Sequence, residues 1–149
     1  MVEWSILSLV ILAILWVFGR QVQVVQGQAE KVMVWSTLAQ LRAALMVEQL
    51  AHHIRSADGK PAQTNPFRLL QHTPPNFAGE LAVQDANSAA PGSWMFDPAC
   101  ACVGYRLLYP QWMEPAQASD AIWFHISFTA DEVRLLPQAS YLWFGQPLI

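Results

Sequence analysis

Residues 4–18, WSILSLVILAILWVF, form an apolar run of 15 residues in which Ser5 and Ser8 are the only polar members. Counted from Met1 the run reaches about 18 residues, at the short end of the roughly 17 to 25 that a spanning helix needs at 1.5 Å each. Such a segment fits a membrane span or the apolar core of an export signal. Trp4 and Trp16 flank it, where amphipathic indoles favour the membrane interface. An export signal would place a basic residue before the run and a small-x-small cleavage site after it. Here no Lys or Arg precedes it, and Gly19-Arg-Gln-Val-Gln-Val24 continues a helical pattern. A retained anchor over residues 1–19 is therefore expected, with Trp4, Ile6, Leu9, Ile11, Leu15, Trp16 and Phe18 as its membrane residues. Arg20 and Lys31 follow the anchor, so the positive-inside count leans toward a cytoplasmic domain, on only two cations.

The anchor accounts for the composition. The chain is 54% apolar and 13% charged, against a usual charged share of about a quarter. Beyond residue 19 the apolar share falls to roughly half, an ordinary globular value, and 149 residues suffice for one modest domain behind the anchor. With a net charge of −3 and no basic cluster, nothing concentrates the Lys and Arg that nucleic-acid phosphates would require.

No proline occurs before Pro61, and residues 20–57 are rich in Gln, Ala, Leu, Val, Glu and Arg, so the anchor is expected to continue as one helix to about Ala57. Val34, Leu38, Leu41 and Leu45 lie on one stripe, and Met46, Leu50 and Ile54 on a second. Gln21, Gln23, Gln26, Gln28, Glu30 and Lys31 read as a stretch too wet for a core. Ser56-Ala-Asp-Gly-Lys-Pro61 supplies the stop. Residues 58–92 hold half of the ten prolines and show no useful period. They read as a connecting region with a short helical turn at residues 67–71 and with Phe77 and Leu81 as plugs.

Residues 93–149 read as antiparallel strands. Residues 93–97 and 101–109 are bridged by a turn at Asp97-Pro98, and residues 122–128 and 133–136 form a hairpin with period-two alternation. Residues 141–144 make a last aromatic strand or edge. The expected fold class is α+β, with the amphipathic half of the helix covering the one apolar face of a β-meander.

An anchor helix running unbroken into an amphipathic half, then a loop, then an antiparallel meander, resembles the type IV pilin and pseudopilin architecture. The runs Gly92-Ser-Trp94-Met-Phe96-Asp97, Gly104-Tyr105-Arg106-Leu107-Leu108-Tyr109 and Ile122-Trp-Phe-His-Ile-Ser-Phe128 look like those of small accessory proteins of MSHA-type (mannose-sensitive haemagglutinin) pilus operons. The likeness covers the whole chain as architecture and about 45 C-terminal residues as sequence. It implies a single-pass accessory subunit of a bacterial inner-membrane assembly machine, with its domain in the periplasm and other pilus or envelope subunits as partners. A prepilin would carry a basic leader ending in Gly and a Glu five residues into the apolar run. Here Glu3 precedes the run and no leader is seen, so an unprocessed accessory protein is expected rather than a major pilin. A minor pilin with atypical processing is the alternative.

The chemistry-bearing residues point away from catalysis. No nucleophile elbow, phosphate-cradling loop or HExxH helix occurs, and Asp97, Asp120, Asp131 and Glu132 read as turn or strand-start residues. Cys100 and Cys102 read first as packed thiols. An unusual disulfide is the second reading, and a metal or redox site with His125 the third, short of a fourth ligand. His52-His53 point to different sides of a helix. Neither a cofactor nor a small-molecule substrate is expected. Glu3 reads as an interfacial carboxylate, with pairing to another subunit's amino terminus as the sharper reading. Trp112, Trp123 and Trp143, with Trp94, read as core or interface anchors, and their density makes the first three candidate partner-binding residues. Ser5/Ser8 and Gly19/Gly27 would allow a helix contact in the bilayer.

Overall fold

The structure is a computed structural model and describes residues 2–55, 65–114, 120–128 and 133–148, the side chains of residues 2, 3, 52–55 and 128 excepted. The chain is α+β. Helix α1 (Val2–Arg55) runs 54 residues without a break, about 80 Å at 1.5 Å per residue. Every side chain of residues 4–23 is exposed, so this part stands clear of the domain as a rod of about 30 Å, the thickness of a bilayer's hydrocarbon core. Among the described residues α1 is the one helix long and apolar enough to cross a membrane. The expected stop at Ser56 to Pro61 lies outside the described residues.

From Gly27 onward the helix has a buried side. Gly27, Glu30, Val34, Leu38, Leu41 and Leu45 follow one another at spacings of three and four and are all buried, a single stripe on one face. Its four aliphatic members are those the spacing predicts. The second expected stripe is not used: Met46 is 51% and Leu50 60% exposed. Each residue turns the helix by about 100°, so Met46 is rotated off the arc that Leu45 presents to the sheet. Ile54 lies outside the described side chains.

The strands are β1 (Phe77–Glu80), β2 (Trp94–Asp97), β3 (Cys102–Arg106), β4 (Met113–Glu114), β5 (Ala121–Phe128), β6 (Val133–Pro137), β7 (Leu142–Trp143) and β8 (Gln146–Pro147). β1-β2-β3-β5-β6 form one sheet and β4-β7-β8 a second. The expected meander holds for β2, β3, β5 and β6, which pair antiparallel in that order. Two features correct it. β1 arises in the supposed connecting region and pairs parallel to β2, because a crossover through the 3-10 segment Val83–Ser88 brings the chain back in the same direction. The aromatic C-terminal segment leaves the main sheet and folds against β4. The expected turn near residue 67 is a 3-10 turn, Pro66–Leu69, capped by the Asn65 side chain, which accepts from the Phe67 N–H. The tip of the β5-β6 hairpin, with Asp131 and Glu132, lies outside the described residues.

Both faces of the main sheet are covered, where one was expected to be. On the helix side Trp94, Phe96, Val103, Tyr105, Ile122 and Phe124 pack with the α1 stripe, Phe67, Tyr141 and Trp143. On the other side Met95, Cys102, Ala121 and Trp123 pack under Ala86, Ala89 and Leu81. A Cβ on Gly104 would sit 2.6 Å from Trp123 Cζ3 and 2.8 Å from Met95 Cγ, so glycine in β3 is what lets the indole lie across the strand. Asp97 ties this cover down: its carboxylate accepts from the Val83 N–H at 2.8 Å and from the Ala99 N–H at 2.8 Å.

Cys100 and Cys102 are joined in a disulfide, which corrects the reading of packed thiols. Cysteines two apart in a regular strand would point to opposite faces. Here the intervening Ala101 adopts φ +52°, a left-handed kink just before β3 that turns both Cβ atoms to the same side.

Candidate functional site

The groups that matter lie where the apolar rod of α1 becomes part of the domain. Glu30 was expected in a wet stretch and is instead 4% exposed. Its position, one turn before Val34 and three residues after Gly27, sets it on the buried stripe, facing the segment that leaves β3. Oε1 accepts from the Tyr105 hydroxyl at 3.0 Å and from the Leu108 N–H at 2.6 Å, and Oε2 accepts from the Tyr109 N–H at 3.1 Å. Burial raises the Glu30 pKa above the ordinary carboxylate value, opposed by these three hydrogen bonds, the Leu108 amide foremost. The Tyr105 phenol is pushed well up, first by its own burial and then by the charge and hydrogen bond of Glu30.

Around this carboxylate the helix is fixed at further points. The Tyr109 hydroxyl donates to Gln26 Oε1 at 3.1 Å. Lys31 Nζ donates to Gln146 Oε1 at 2.6 Å and to the Trp143 carbonyl at 3.3 Å, gripping the β7-β8 turn. Arg42 donates to the Leu135 carbonyl at 3.4 Å. Gly27 lies beneath a stacked pair, Trp112 and Phe144, with ring centroids 4.8 Å apart. A Cβ there would meet Trp112 Cδ1 at 2.6 Å and Phe144 Cζ at 2.9 Å, so the close approach requires glycine. Contacts to the segment after β3, to β6 and to the second sheet together fix both the rotation and the axial position of α1. Chemically the arrangement is a lock. Its carboxylate is saturated by donors from its own chain.

The predicted residues fall in distinct places. Trp4, Ile6, Leu9, Ile11, Leu15, Trp16 and Phe18 are all exposed on the rod. The Glu3 side chain lies outside the described residues. Of the candidate partner-binding tryptophans, Trp143 is fully buried behind the helix and Trp123 is 4% exposed on the opposite side of the sheet, the places of core anchors, while Trp112 is half-buried and packs on Gly27. Gly27 serves this internal contact rather than one in the bilayer. Cys100 is exposed and Cys102 buried. His125 stands cross-strand from Cys102, and Gln138 Nε2 donates to Cys102 Sγ at 2.9 Å. Among the described residues no group of three or more His, Cys, Asp or Glu is placed to hold a metal ion. Gly27, Glu30, Lys31 and Tyr105 are the residues sequence reasoning missed. Extending the Leu45-Leu41-Leu38-Val34 spacing backward leads to Glu30 and Gly27, the signal that would have found two of them.

Comparison with known protein families, curated proteins and solved structures returned no match for this chain.

Proposed function

We propose that the protein is a membrane-anchored, non-enzymatic accessory subunit of a type IV pilus of MSHA type or of a related secretion assembly. Its anchor sits in a bacterial inner membrane, its domain in the periplasm, and it acts by contact with other envelope subunits. The observation that carries this reading is the unbroken α1: the same helix that stands clear as an apolar rod is locked into the domain by Glu30, Lys31 and Gly27. A domain held this way keeps a fixed height and orientation above the bilayer, which suits a subunit that must meet its neighbours in register. The order of parts, with the amphipathic half of the helix on a sheet, supports the pilin-like comparison.

The periplasmic placement has two supports. A disulfide between Cys100 and Cys102 fits an oxidising compartment. Lys31, one of the two cations that weigh toward the cytoplasm, is turned onto the domain by Gln146 and Trp143, and the other, Arg20, lies over the Trp16 ring at 5.1 Å from its centroid. The position of Glu3 before the apolar run favours an accessory role over that of a major pilin. The pilin-like helix keeps an atypically processed minor pilin as the second reading, and N-methylation found by mass spectrometry of the native N-terminus would select it.

Affinity capture of the full chain from a cross-linked native membrane tests the reading. Recovery of pilus or secretion-system subunits above an unrelated single-pass control is expected, and recovery of none would overturn it.

A further inference from the structure

From Gln21 to Leu50 every exposed residue of α1 is uncharged. The charged residues of that stretch turn toward the domain: Glu30 is buried, Lys31 and Arg42 donate to backbone carbonyls of the sheets, and Glu48 is half-buried. A helix face meant for water usually carries charge. This one carries a heptad pattern instead. Val22, Ala29, Ser36, Ala43 and Leu50 recur every seven residues, and Val25, Val32, Ala39 and Met46 fall three residues after each of the first four. These are the a and d positions of a coiled coil. At 100° per residue the stripe is centred about 180° round from the buried one, so the domain does not obstruct it. Val32 is 69%, Leu50 60% and Val25 56% exposed.

The same spacing runs back without a phase break through Phe18, Leu15, Ile11, Ser8 and Trp4. We infer that this face binds a second copy of the chain, as a parallel, in-register, two-stranded coiled coil that begins in the membrane and continues to Leu50. The strict period of 3.5 calls for a helical partner. Anchoring holds two copies parallel and level, so that each a residue meets its own counterpart. Small residues at Ala29, Ser36 and Ala43 let the axes approach, while Val25, Val32 and Met46 fill the layers between. Among the e and g positions that flank the stripe from Gln26 to Gln49, Arg42 alone is charged, and its guanidinium donates to the Leu135 carbonyl of its own chain.

Area also favours a partner that spans both parts. A strip about 10 Å wide over residues 22–50 buries roughly 900 Å² counting both copies, below the range of a standard stable interface. With the stripe continued to Trp4 the total is roughly 1,400 Å², inside the range of about 1,200 to 2,000 Å². The inference rests on the anchoring in the proposed function and not on the pilus assignment.

The test uses the full chain in its native membrane, with single cysteines introduced one at a time and joined by mild oxidation. Ser36→Cys and Ala43→Cys are expected to give covalent dimers, and Gln23→Cys, roughly 130° round the helix from the stripe, and the unaltered chain are not. Equal dimer yield at Gln23→Cys, or none at Ser36→Cys and Ala43→Cys, overturns the inference. So does cross-linking of Ala29→Cys only to Ser36→Cys on another copy, the mark of a staggered array. In detergent, sedimentation of the unaltered chain should give a dimer that Val32→Glu weakens about 100-fold or more, since like charges would face each other across one layer. A monomer in both overturns the inference, whereas loss of pilus partners with the dimer intact would fault only the assembly assignment.

Discussion

Replacing Glu30 with alanine should loosen the domain from its helix more than any other single change on the helix surface. The carboxylate takes hydrogen bonds from the Tyr105 hydroxyl and from the Leu108 and Tyr109 amides. A buried donor left without a partner costs about 1 to 3 kcal/mol. Leu108 is exposed and Tyr109 half-buried, so water reaches their amides and the low end of that range applies, about 1 kcal/mol each. The Tyr105 hydroxyl is buried and its loss is nearer 2 kcal/mol. Removing the carboxylate also removes its own desolvation cost, which burial makes the leading influence on its pKa. The net loss is about 3 kcal/mol, or roughly a 10 °C fall in midpoint for a domain of this size. Thermal unfolding of the full chain in detergent, followed by near-ultraviolet circular dichroism of the buried indoles, reads this directly. A shift under about 2 °C would refute the reasoning.

Glu30→Gln supplies a pH test. The folded pKa of Glu30 is raised, so its contribution to stability is fully present below the ordinary carboxylate pKa and is lost as pH rises through the raised value. The midpoint of the unaltered chain should therefore fall relative to Glu30→Gln across that window, and parallel curves would contradict the assignment. Gly27→Ala gains about 1 kcal/mol of helix propensity but drives a Cβ into Trp112, with a net loss of about 1 to 2 kcal/mol; Gly19→Ala, with nothing within 4 Å, should be neutral or stabilising. Comparing their melting midpoints checks the pair. Gly104→Ala should displace Trp123 and cost about 1 to 3 kcal/mol, seen as a red shift of tryptophan emission. Alkylation of the native protein should label neither cysteine before reduction and both Cys100 and Cys102 after it, as read by mass spectrometry.

The parts of the fold that repeat a period over many residues were legible before any coordinates. The Val34-Leu38-Leu41-Leu45 stripe and the Ile122-Phe124-Ile126 alternation each state a face that is buried, although the alternation gave no sign that the opposite face, with Trp123, is covered as well. β1 was not legible because Phe77-Ala-Gly-Glu80 is four residues long and its place depends on a parallel partner 17 positions on, at Trp94. The lock at Glu30 was hidden by a rule about residue type. Glutamate among glutamines reads as solvated, and its donors come from about 75 residues further along the chain, beyond any local pattern. The number of tryptophans fitted core and interface alike, and the covered sheet faces that bury Trp94, Trp123 and Trp143 as core come from elements distant in sequence. The Cys100–Cys102 disulfide needed the positive φ of Ala101, which no property of alanine announces.

The proposed function makes the rod of α1 an anchor and places the locked domain in the periplasm. A reporter active only after export, fused behind Ile149 in the full chain, tests this most directly. Activity is expected only on the periplasmic side and bound to the inner-membrane fraction. An inactive periplasmic reporter, with a cytoplasmic reporter active at the same site, would contradict it.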